Sequence, residues 1–177
     1  GWGMNYYRDS FYLRANVAPR PYEEEVFCRF LQNYADRLNA SYAAASGISL
    51  NDSCLADSER SERALLFPDR MNLEAEVKKL YAQIPGHYGL ALPRNFQHPK
   101  YLFFNSLYSG VGVLGFMGPF FGESHLNHEL LPLQYPFTYA HELSHLLGIS
   151  NEAEANFWAY QICIRSISPA VRYSGYF

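Results

Sequence analysis

The chain has 177 residues, 49% of them hydrophobic, and a formal charge of −3 with 14 Lys and Arg. That is enough apolar material for one domain with a real core, and it excludes a disordered chain. The basic residues are scattered along the sequence, so no stripe tracks a phosphate backbone and no nucleic acid is expected as a partner.

Fifteen Tyr and thirteen Phe make the chain rich in rigid rings, which suits a packed core and interface or a peptide or glycan groove. Cys28, Cys54 and Cys163 are too few and too far apart for a disulfide framework or a thiolate zinc site. Cys28 and Cys163 fall in helical patterns and read as small buried hydrophobes. No run of 18 apolar residues and no signal peptide occurs in the sequence. The opening on Gly rather than Met reads as a segment of a longer chain.

Residues 1 to 20 mix Tyr6, Tyr7, Phe11 and Tyr12 with Arg8 and Arg14. This composition suits either the water-facing edge of a bilayer, with the arginines near lipid headgroups, or a plain docking arm. Pro21 followed by Glu23, Glu24 and Glu25 predicts a helix start, and apolar residues at helical spacing carry that helix to about Ala45. Its inner face would hold Val26, Phe27, Phe30, Leu31, Tyr34, Leu38 and Tyr42, with Arg29 and Asp36 outside, making it a core helix. Residues 46 to 67 read as a loop with a short helical turn at Glu59 to Leu66. A second helix runs from Arg70 to Ile84, with Leu73, Val77, Leu80 and Tyr81 inside and Pro85-Gly86 at its end.

From Tyr88 to Asn127, Gly- and Pro-punctuated apolar runs predict strands at Tyr101 to Asn105 and at Val111 to Met117 with Phe120-Phe121. His125 and His128 follow, three residues apart among carboxylates. They could form a second metal site, or His125 could reach substrate or a metal-bound water, with His128 on the surface. His87 and His98 carry no signal.

The stretch Phe137 to Gly148 contains His141-Glu142-Leu143-Ser144-His145, the HExxH arrangement. On a helix, residues i and i+4 lie one above the other, so both imidazoles can reach one ion while Glu142 stands beside it toward a metal-bound water. Chance yields this motif roughly once in 70 chains of such composition. Its context strengthens it, because Ala140, Leu143, Leu146 and Leu147 favour helix and Gly148 suits a left-handed helix end. A catalytic zinc needs a third protein ligand and an open position. Asn151, Glu152 and Glu154, at the head of a further helical run to about Arg165, are the candidates. Asn151 is a neutral amide and a poor zinc ligand, and Glu154 also suits a solvated first-turn position.

Here the chain resembles the zincins. Their glutamate-ligand branch carries Asn-Glu-x-x-x-Asp, in which Glu binds zinc and Asp orients a histidine. By that match Glu152 is the ligand, preferred over Glu154, and Asn156 stands where the family has Asp; an amide oxygen can accept from an imidazole but lacks the charge. The short connection is more like that of the metzincins, whose third ligand would fall at Asn151. Zincins also bind extended substrate on an edge strand before the active helix, here Gly115 to Gly122, and stabilise the oxyanion with a downstream side chain, for which Arg172, Tyr173 and Tyr176 are candidates; core packing is the alternative role for both rings. The tail from Pro169 reads as a helix.

More narrowly, Pro136 to Glu142, Glu-Ala-Glu-Ala-Asn-Phe at 152 to 157, and Trp2 to Arg8 resemble an uncharacterised bacterial family of membrane-anchored, zincin-like proteins. The resemblance implies an α+β, zincin-like metallopeptidase fold: a small mixed sheet whose edge strand lies beside the HExxH helix, followed by a Glu-bearing helix. It implies one domain over 1–177, with 1–20 as a juxtamembrane arm after upstream membrane spans and the domain outside the cytoplasm. The expected function is a zinc-dependent metallopeptidase acting on a peptide or protein substrate, with Zn2+ held by His141, His145 and Glu152 and Glu142 as general base. A non-catalytic sensor or partner-binding domain is the alternative, and a zinc hydrolase of non-peptide amides a third reading. The sequence does not fix an oligomeric state.

Overall fold

The computed structural model describes residues 7–47, 67–98, 100–101, 115–118, 123–126 and 130–177. Among these, six α-helices carry the architecture: α1 (Phe11–Ala15), α2 (Glu24–Ser46), α3 (Arg70–Ala82), α4 (Gln134–Leu146), α5 (Glu152–Cys163) and α6 (Pro169–Tyr176). Three short strands, β1 (Lys100–Tyr101), β2 (Gly115–Gly118) and β3 (Glu123–Leu126), pair in the order β1-β3-β2. β1 runs parallel to β3, and β2 runs antiparallel to it with Phe116 opposite His125.

The expected α+β architecture is therefore corrected to a mostly helical one. The strands span two to four residues, and β2 is bounded by Gly115 and Gly118, which give a strand no side chain to pack. The core is built by helices instead. Leu73, Val77 and Tyr81 of α3 meet Tyr139, Ala140 and Leu143 of α4 and Ala155, Ala159 and Ile162 of α5. Ala140, Ala155 and Ala159 are fully buried, and such small side chains let helix axes approach closely. Parts of the predicted strands, at 102–105, 111–114 and 120–121, lie outside the described residues, as do the turn at 59–66 and His128.

α3 starts as its sequence dictates. Asp69 caps it by accepting from the Asn72 amide at 3.0 Å, and Leu73, Val77 and Tyr81 face inward. The Tyr81 hydroxyl donates to Ala140 O at 2.8 Å, tying α3 to the residue before His141 with a buried bond worth about 1 kcal/mol. α6 opens with Pro169 at its first position behind the Ser168 cap. It packs so closely on α5 that a Cβ at Gly175 would stand 2.6 Å from the Cys163 Cβ, and only glycine fits there. Cys163 is buried as expected, but Cys28 is exposed.

α2 departs from expectation. It begins at Glu24, three residues after Pro21, and its N-terminal half is not core: Val26 and Phe30 are 50% and 55% exposed, and Phe27 and Leu31 are exposed too. Only Ser41, Ala43, Ala45 and Ser46, near its end, are buried. Apolar periodicity names the face of a helix and leaves open whether another element covers it. The helix packs chiefly on α6, where the Tyr34 hydroxyl donates to Tyr176 O at 2.7 Å.

The arm docks on the body. Phe11 of α1 packs among Tyr88, Phe157 and Trp158 at ring-centroid distances of 6.3, 5.3 and 6.1 Å. Arg8 and Arg14 both bond the body of the protein: Arg8, itself exposed, donates to Gly148 O and Gly89 O, and Arg14 to Tyr88 O and to Glu154. No helix among the described residues is long and apolar enough to cross a membrane.

Candidate metal centre

α4 places His141 and His145 one turn apart on one face, and the turn through Gly148 brings the start of α5 back beside them. Gly148 takes φ 106°, a left-handed conformation that favours glycine and permits this reversal. α5 is then capped by Asn151, whose Oδ1 accepts from the Glu154 amide at 2.9 Å, so Glu152 is the first residue of the helix. Three donor groups converge. The two imidazole Nε2 atoms are 3.1 Å apart, Glu152 Oε2 is 3.1 Å from His141 Nε2, and Glu152 Oε1 is 3.4 Å from His145 Nε2. Two ligands bound tetrahedrally at zinc–nitrogen distances of about 2.0–2.1 Å lie about 3.3–3.4 Å from each other, so the donor spacing matches a single ion of that size.

The far sides of the rings fix their tautomers. His145 Nδ1 lies 2.8 Å from Ile149 O and His141 Nδ1 lies 2.8 Å from Asn156 Oδ1. Both partners are acceptors, so each Nδ1 carries the proton, and in the neutral rings each Nε2 presents a bare lone pair. Two lone pairs 3.1 Å apart cannot bond each other and call for a cation between them. A proton is a poor one here: burial, and secondarily the charge of His145, lower the His141 pKa, although Glu152 and Asn156 oppose that shift. The donor set, two imidazoles and a carboxylate with neutral rings, fits zinc.

His145 is 5% exposed and the Glu152 side chain 74%, so the site lies at the surface with its histidines inside and its carboxylate at the rim. Glu142, next to His141, is buried on α4. Behind His141, on the Asn156 side of its ring, α2, α4, α5 and α6 form an open, largely apolar groove of about 630 Å³, lined by Phe30, Tyr34, Phe137, Phe157 and Tyr160; none of the three donor residues lines it.

The other candidates are placed elsewhere. Glu154 is committed to Arg14 and also accepts from Trp158 Nε1 at 3.2 Å, and Asn151 is committed as the cap. Arg172 donates to Ser166 O and Ile167 O at 2.8 and 3.0 Å. Tyr173 packs on Tyr42 and Phe177, and Tyr176 on Tyr34 and Tyr160, with burial raising the Tyr173 pKa. None of these three is joined to the histidines. His125 lies in β3, paired through its backbone register with Lys100 and Phe116. One functional group was missed from the sequence, the Ile149 carbonyl that orients His145. The only trace of it is Gly148, which turns the chain back over the end of α4.

The Asn156 contact has a measurable consequence. Partners on the far side of a metal-binding imidazole are worth about 10- to 100-fold in metal affinity, so Asn156→Ala should weaken zinc binding by that factor. Asn156→Asp should strengthen it, because a carboxylate makes the ring more basic. Competition against a chromophoric chelator measures both; equal affinity in all three proteins would assign Asn156 no role at the ion.

A family model described as "Protein of unknown function (DUF3810)" matches residues 1–177. No curated protein and no solved structure matches the chain.

Proposed function

We propose that this chain, which belongs to the DUF3810 family, is a zinc-dependent hydrolase of peptide bonds whose ion is held by His141, His145 and Glu152. The observation that carries this reading is the convergence of two imidazole Nε2 atoms and a carboxylate within 3.1 to 3.4 Å of one another. Bound zinc would lower the pKa of a coordinated water and polarise a carbonyl oxygen. The protein's residues supply the rest. The bonds that His145 and His141 donate from Nδ1 to Ile149 O and to Asn156 Oδ1, the first of them buried, hold the imidazoles in register. Glu142, one residue past His141, is the group that would take the water proton and return it to the leaving amine.

Metal analysis of the purified protein tests the centre. One zinc per chain is expected, lost in His141→Ala; protein that stays metal-free when offered zinc would refute the reading. Zinc without cleavage of unfolded protein substrates would instead favour a partner-binding domain.

A further inference from the structure

The turn that joins the second histidine to Glu152 is gripped at both ends by the N-terminal arm. We propose that Arg8 and Arg14 are positioning residues of the metal centre, a proposal that rests on the zinc reading above. Arg8 Nη1 donates to Gly148 O at 2.7 Å, one residue before the Ile149 carbonyl that fixes the His145 tautomer, while its other terminal nitrogen bonds Gly89 O. Arg14 pairs with Glu154, two residues past the ligand Glu152, and donates to Tyr88 O at 2.9 Å. The arm thus ties both flanks of the turn to the same segment, 88–89.

The energetics favour a positioning role over a plainly stabilising one. The side chains of the Arg14–Glu154 pair are 12% and 8% exposed, and a pair so removed from water gains little stability over well-packed apolar side chains, while its bond geometry is demanding. What it does fix is direction. The Glu152 side chain is 74% exposed, so its aim at the histidines depends on the orientation of the first turn of α5, and that turn is the one Glu154 anchors. On the other flank, a shift of Gly148 would carry Ile149 O away from His145 Nδ1 and free that ring to turn.

The test uses Arg8→Met, which removes both bonds that Arg8 donates, at an exposed position, and the double variant Arg14→Met/Glu154→Met, which removes both charges and leaves neither buried alone. Zinc affinity by chelator competition, the cobalt(II) absorption spectrum, and hydrogen exchange of amides 148–154 are compared with the parent. Zinc affinity is expected to fall in each variant, by up to about 10-fold, the low end of what a ligand's direct hydrogen-bond partner contributes, with an altered cobalt spectrum and an unchanged circular dichroism spectrum. A folded variant that keeps parental affinity and spectrum overturns the proposal. Should the double variant fail to fold, Arg8→Met decides it alone. If the parent protein binds no zinc, the zinc reading fails by itself, and hydrogen exchange then judges the clamp: faster exchange across 148–154 in Arg8→Met supports it, and parental rates refute it.

Discussion

Glu142→Gln is expected to retain zinc and to lose about 100- to 10,000-fold in turnover, the range that a general base contributes. Gln has the shape of Glu and cannot accept a proton, so the change removes basicity while filling the same space on α4. That matters because the position is buried and is flanked by Ala140 and Leu143 of the core. A shorter or charged replacement would confound chemistry with packing. The measurement is the cleavage rate of an unfolded protein substrate by parent and variant at matched zinc content, with products identified by mass. Equal rates would remove Glu142 from the reaction. Loss of zinc from the variant would make Glu142 part of the metal site rather than the base beside it.

The convergence of His141, His145 and Glu152 was legible in the sequence because its information is local. The spacing of His141 and His145 fixes a shared helical face, and Gly148, Asn151 and Glu152 in succession describe a helix end, a cap and a first turn. The preference for Glu152 over Glu154 rested on resemblance; in the fold Glu152 stands beside the histidines, while Glu154 is engaged by Arg14, 140 positions upstream. No local pattern reveals such a pairing. The same limit explains α2, where the spacing of Val26, Phe27, Phe30 and Leu31 described an apolar stripe correctly as a stripe but could not say that it stays exposed. It also explains the sheet. Apolar runs between glycines predicted strands, yet among the described residues the core is built mainly by α3, α4 and α5, and the described strands span two to four residues. Arg172, Tyr173 and Tyr176 had the chemistry for oxyanion stabilisation but are used by α6 for its own start and its packing on α2 and α5.

Removal of zinc is expected to lower the melting temperature of the parent by about 5–11 °C when free zinc had been held at 100 times its dissociation constant. A ligand that binds only the folded state stabilises it by RT ln(1 + [L]/Kd), about 2.7 kcal/mol under that condition. For a domain of 150–250 residues each kcal/mol moves the midpoint by about 2–4 °C. The geometry gives the expectation its specificity. The three candidate ligands come from α4 and α5, and His145 is held by Ile149 in the turn between them, so an ion bound there would link the two helices and would have no equivalent site once they separate. His145→Ala should therefore melt at the same temperature with zinc or with a chelator, because its buried imidazole is the one tied to that turn. Thermal melts of both proteins, each with zinc and with chelator, give the answer. A zinc-dependent shift that survives in His145→Ala would place the stabilising ion elsewhere, and a parent that ignores the chelator would leave the three side chains without a metal to hold.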